Sequence, residues 1–205
     1  MKAARTQYMI AAVAGSLATS FAASAVAQTR PDSEIFLEAI EQQRNNDVVE
    51  MVTKNGRAIV NVRGYSGATP LTTAMRKRAT AYVNFLLQNG ADPNLAERNG
   101  SGDTALIIAS RLNYLEGVGA MLGAKAPVDA TNRQGETALI VAVQNRSVPV
   151  VRRLLEAGAN ASHTDSASGL SARDYAARDH RSGEILKLID SVKKKPVFIA
   201  GPVLR

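Results

Sequence analysis

The chain of 205 residues has a formal net charge of +7, no Cys, no Trp and only 4% aromatic residues. Without Cys there is no disulfide framework, thiolate zinc site or cysteine nucleophile, and 45% hydrophobic residues argue for a folded chain over a disordered or fibrous one. Only His163 and His180 remain to titrate near neutral pH.

Residues 1–27 start with Lys2 and Arg5, continue as an Ala-rich apolar run without an acid, and end in Ala25-Val26-Ala27. This pattern predicts a secretory signal peptide cleaved near Ala27, and hence a periplasmic or secreted protein. The competing reading is an uncleaved anchor, because Met9 to Ala27 is close to the ~20 residues that cross a bilayer. Two of the positive charges leave with a cleaved signal.

From there the sequence repeats. GATPLTTA (67–74), GDTALIIA (102–109), GETALIVA (135–142) and GLSARDYA (169–176) recur at spacings of 35, 33 and 34. A second phrase follows the first three at constant distance: LLQNGADPN (86–94), MLGAKAPVD (121–129) and LLEAGANAS (154–162). Ahead of them EIFLEAI (34–40) and DVVEMVTKNG (47–56) keep the same step. The spacing divides residues 28–195 into units of about 31–66, 67–101, 102–134, 135–168 and 169–195, followed by a tail, 196–205.

Each unit predicts two short helices. Thr69, Thr104, Thr137 and Ser171 are N-cap residues, and Pro70 suits a first helical position, where its missing N–H has no helical partner. A second helix follows with spaced aliphatics such as Val150, Val151, Leu154 and Leu155, stopped by Gly158, as by Gly90 and Gly56. Lys125 stands at this stop in the third unit, which is unfavourable unless Gly123 moves the stop earlier. One such pair cannot bury its apolar face, so stacking must supply the core. Charged residues at both ends, among them Glu34, Glu38 and Glu41 in the first unit and Arg173 to Lys195 in the last, read as caps facing water.

These phrases resemble the ankyrin repeat, whose pattern is G-x-T-P-L-H-x-A-A followed by V-x-x-L-L-x-x-G-A-D-x-N, over roughly residues 31–195. The resemblance implies an all-α solenoid of about five helix-turn-helix units with hairpin-like turns between them, and a protein-binding function without chemistry of its own. Departures are the Pro, kept only at Pro70, and the motif His, replaced by Thr72, Ile107, Ile140 and Asp174, so the Thr-to-His hydrogen bond of the pattern is missing.

Family stacks of this kind use a concave face and the turn tips for recognition. Carried onto this chain, the face holds Thr73, Ile108, Val141 and Tyr175 as a largely apolar stripe beside Arg76, Arg111, Gln144 and Arg178. The tips add Arg63, Tyr65, Glu97, Arg98, Asn132 and Arg133. The partner this predicts is a protein with an acidic surface, which Arg can grip through bidentate carboxylate contacts. The competing reading has the apolar members packed between helices and the arginines merely solvated.

Other functions find less in the residues. His163 and Asp165 share a turn, the one place for a small-ligand or enzymatic role, but no H-E-x-x-H, phosphate-binding G-x-x-x-x-G-K or G-x-S-x-G occurs. The expectation is no catalytic residue, no cofactor and no metal. Basic residues alternate with acids and no aromatic platform exists, which argues against nucleic acid. Lys193 to Lys195 suit a helix C-terminus, with peripheral contact to an anionic membrane as a second reading. The apolar tail 196–205 reads as packing on the last helix or as binding a partner. The chain is expected to be a monomer, with an inhibitor or immunity-type role, or a protective role beside an exported enzyme, as alternatives within binding.

Overall fold

The repeated hydroxyl residues begin the helices as their chemistry requires. In a computed structural model, which describes residues 30–193, the side chains of Thr69, Thr104, Thr137 and Ser171 accept the backbone N–H three residues on, at 3.1, 3.3, 3.3 and 3.2 Å. Each satisfies one of the N–H groups that a helix start leaves free. In the second and last units the bond is returned: Thr72 Oγ1 accepts the Thr69 N–H at 2.9 Å, and the Asp174 carboxylate accepts that of Ser171 at 3.0 Å. The two helices between have Ile107 and Ile140 there, fully buried. The missing motif His is thus replaced by another polar side chain in two units and by apolar burial in the other two.

Eleven helices form among the described residues. They are α1 (Asp32–Glu41), α2 (Asn45–Asn55), α3 (Arg57–Val60), α4 (Pro70–Arg76), α5 (Thr80–Gln88), α6 (Ala105–Arg111), α7 (Leu115–Gly123), α8 (Ala138–Gln144), α9 (Val148–Glu156), α10 (Ala172–Arg178) and α11 (Gly183–Lys193). The first helices of successive units pack in one layer, α1 on α4, α4 on α6, α6 on α8 and α8 on α10. The second helices form the other layer, α5 on α7, α7 on α9 and α9 on α11. An inner helix therefore has neighbours on both sides and an outer helix behind it, which is why Ala105 to Ser110 and Ala138 to Val143 are buried without interruption. Each Leu or Ile so buried contributes about 1.5–3 kcal/mol before chain entropy is counted.

The outer helices stop where the spacing predicts. Gly90 and Gly158 take positive φ, 87° and 89°. Lys125 takes φ 60° in the same slot, and Gly123 does not move the stop; it is the last residue of α7. The turn is imposed by the next residue, a buried Ala whose N–H reaches back to the helix: Ala91 to Leu86 O at 2.9 Å, Ala126 to Met121 O at 3.0 Å and Ala159 to Leu154 O at 3.0 Å. Gly56 differs from both, since it leads directly into α3, an extra turn that buries Ile59 and Val60.

Two features join the units. The bend between inner and outer helix puts a non-glycine residue at positive φ four times, at Gln43, Arg78, Asn113 and Arg146. Three of these side chains reach the next unit: Arg78 donates to Leu112 O and lies 5.8 Å over the Tyr114 ring, Asn113 meets Ser147 Oγ, and Arg146 pairs with Asp179. On the other side the hairpin turns stand as fingers closed across their bases by backbone bonds, as from Glu97 N–H to Asp103 O (2.9 Å) and Asn132 N–H to Glu136 O (3.1 Å). Neighbouring fingers bond through Arg98 N–H to Gly67 O (2.9 Å), Arg133 N–H to Ser101 O (3.0 Å) and Ser166 N–H to Gln134 O (2.8 Å). The approach is close enough that a Cβ on Gly67, at φ 78°, would lie 2.6 Å from the Arg98 carbonyl carbon. Tyr65 holds the matching position in the first finger, and its N–H is taken by the Glu34 carboxylate at 2.5 Å.

Candidate partner-binding face

The apolar stripe expected on the inner surface is not there. Thr73, Ile108 and Val141 are 4%, 2% and 1% exposed, because the helix face that carries them is covered by the adjacent inner helix. Tyr175 is half-buried, and its hydroxyl donates to the Asp165 carboxylate at 2.6 Å. Asn132, placed at a finger tip from sequence, is also buried: its amide donates to Asp103 at 2.9 Å and Glu136 at 2.8 Å, while its own oxygen accepts the N–H groups of Gln134 and Glu136. It is a finger's internal brace.

The arginine row divides. Arg76 pairs with Glu97 of the following finger, whose carboxylate is buried and also accepts from Asn99. Arg111 lies 3.3 Å from Asp103 of its own finger and 3.3 Å from Glu136 of the next. Both guanidinium groups answer acids of this chain. Gln144 and Arg178 are exposed, the latter close enough to Asp174 to help hold that carboxyl low, after the Ser171 hydroxyl and backbone bonds that do most of it. Changing Arg76, Arg111 and Arg178 together would therefore disturb the fold as well as any partner.

The finger edge is different. Tyr65 is 83% exposed, and Arg98 and Arg133 hold the matching positions in the next two fingers, both exposed. No carboxylate pairs with either arginine among the described residues. Arg63 stands beside them, its guanidinium donating to Ala96 O; burial and the neighbouring Arg98 charge push its pKa down. Glu97, counted with these tips from sequence, is buried at the finger base. Periodicity could have found this row, since Tyr65, Arg98 and Arg133 are equivalent in the repeat, but not that it stays unpaired while Arg76 and Arg111 do not.

The His163 and Asp165 side chains take separate partners. His163 Nε2 lies 3.2 Å from Gly135 O. Asp165 is buried, which pushes its pKa up, but bonds from the Tyr175 hydroxyl, Ser168 and the Gly169 N–H outweigh this and hold it at about 2. Its carboxylate closes the last finger. Among the described residues no helix is long and apolar enough to cross a membrane, and no three His, Asp or Glu side chains converge as metal ligands. The signal segment 1–27, the tail 196–205 and the side chains of Lys193 to Lys195 lie outside the described residues.

Comparison with known proteins places this architecture. The family model described as ankyrin repeats (3 copies) matches residues 36–127 and 106–195. Among curated relatives, the ANK repeat-containing protein nipk-1 of Caenorhabditis elegans is 26% identical over 160 residues, covering 72% of this chain and 26% of its own length. Alpha-latrocrustotoxin-Lt1a of Latrodectus tredecimguttatus is 29% identical over 126 residues, covering 61% of this chain and 9% of its own. The mitochondrial disaggregase of Homo sapiens is 43% identical over 68 residues, 33% of this chain and 10% of its own length. The chain thus spans at most about a quarter of the length of these relatives. With matched repeats over most of its length and a helix-pair stack joined by fingers, the chain belongs to the ankyrin-repeat family, whose repeats are protein-interaction modules.

Proposed function

We propose that this protein is an exported, monomeric binding module that docks an acidic surface of another protein along its finger edge. The observation that carries the reading is the division of the arginines. Arg76 and Arg111 are engaged by buried acids of the chain, whereas Arg98 and Arg133 stand exposed on adjacent fingers beside the exposed Tyr65 ring, with no ion-pair partner among the described residues. A partner carboxylate can meet Arg98 or Arg133 with both oxygens, and Tyr65 offers an aromatic anchor at low entropic cost. Exposed charges of this kind mainly accelerate encounter and select partners by sign. Export, to the periplasm or beyond, is supported by the basic start, apolar run and Ala-Val-Ala of residues 1–27.

The test is crosslinking and pull-down from the native compartment with the full chain. Reversing charge at Arg98→Glu with Arg133→Glu should lower capture of the stoichiometric partner by about tenfold or more, with an unchanged helical spectrum. Undiminished capture would remove the finger edge from the interface.

A further inference from the structure

The outer layer carries a groove unrelated to the finger edge. Between α9 and α11 a cavity of about 270 Å³ is walled by Leu155, Leu188 and Val192, with Arg152 and Glu156 at its rim. A second hollow of about 360 Å³, between α7 and α9, is lined by Leu115, Val148 and Pro149 and shares Arg152 and Glu156. The two lie side by side across three outer helices, a channel with apolar ends that Arg152 and Glu156 of α9 cross in the middle. Val192 and Leu115, at its two ends, are 41% and 40% exposed, two of only four large hydrophobic residues so exposed among those described.

We propose that this channel is the seat of the chain's own segment 196–205, which crosses α11, α9 and α7 in that order. The argument is one of position, length and composition. Val192 lines the channel mouth, and the sequence continues a few residues later as PVFIAGPVLR, with Pro196 unable to prolong α11. Nine of its ten residues are uncharged, Arg205 being the exception, and Val197, Phe198, Ile199, Val203 and Leu204 are an unusual run to leave in water beside an otherwise charged last unit. Residues 197–204 in extended form reach about 26 Å at roughly 3.3 Å each. Two steps between helix axes at about 8–10 Å make the crossing close to 20 Å. Residues 197–204 are long enough to cover the channel.

The absence of Cys makes the test clean, because two introduced thiols can pair only with each other or between chains. In the full chain, Ile199→Cys is combined with Arg152→Cys at the channel rim, or with Gln144→Cys on the inner surface of the same unit. Arg152 and Gln144 are both exposed, so neither change disturbs the core. The expected result is an intramolecular disulfide forming at least about tenfold faster with position 152 than with 144, reflecting the higher effective concentration of a docked segment. Equal rates for the two pairs would overturn the assignment. So would crosslinks only between chains, which would put a second copy in the channel. Neither outcome bears on the finger edge, whose test is read by partner capture.

Discussion

Arg111 and Arg133 belong to one unit and carry the same charge, yet the first is held by two carboxylates and the second by none among the described residues. The difference is depth. At the base of a finger, where inner helices press together, Glu97 and Asp103 are only 3% and 4% exposed and require a countercharge from within the chain. Toward the tip, water replaces that requirement and an arginine stays available. Repeat equivalence tells which residues share a role; distance from the finger base tells which of them can meet another molecule.

The contrast is most directly broken by removing one arginine of each kind. Arg76→Ala leaves the Glu97 carboxylate buried with one oxygen already lacking a partner, so a loss of about 1–3 kcal/mol in urea unfolding is expected. Arg98→Ala should change stability by no more than about 0.5 kcal/mol. Equal losses would mean that depth does not separate the two sets.

A smaller effect comes from acid, at two carboxylates toward the C-terminal end of the array. Asp165 and Asp179 both sit at about 2, the first despite burial and through the Tyr175, Ser168 and Gly169 bonds, the second through the Arg181 backbone N–H and then the Arg146 guanidinium. Unfolded Asp titrates near ~4, so the stability these groups supply is complete above that pH and lost as pH falls toward 2. Thermal melts across that window should drop less steeply for Asp165→Asn than for the parent chain. An unchanged slope would show that this carboxylate does not hold the finger.

The smallest expected effect concerns the helix stops. Lys125 occupies at φ 60° the place that Gly90 and Gly158 fill without strain. Lys125→Gly should raise stability by about 0.5–1 kcal/mol, measured by urea midpoint. A loss would mean that the lysine side chain stabilises α7 in some other way.

Much of this was legible in the residues. The helix starts at Thr69, Thr104, Thr137 and Ser171 follow from local hydroxyl chemistry, and the unit length follows from the two linked phrases. The exposure of the candidate face was not. Thr73, Ile108 and Val141 lie one position before the shared Ala, and only the layer packing decides whether that position faces solvent or the next helix. Likewise the pairing of Arg76 with Glu97 spans 21 residues and that of Arg111 with Glu136 joins two units, separations at which the repeat period carries no pairing information. The positive φ at Gln43, Arg78 and Arg146 also has no glycine to mark it; it goes with the helix-stop bonds from the Arg44, Ala79 and Ser147 N–H groups to Ala39 O, Ala74 O and Ala142 O.

The Glu34 carboxylate on the Tyr65 N–H has a consequence for lengthening the array. Each of the first three fingers lends a carbonyl to the next, through Gly67, Ser101 and Gln134, so a duplicate of residues 102–134 spliced in after Gln134 would find a donor and an acceptor waiting on either side. A repeat placed ahead of the first unit would instead meet the Tyr65 N–H already taken and would have to displace the Glu34 carboxylate. The middle of the array therefore accepts an extra unit more readily than the N-terminal side of its first finger.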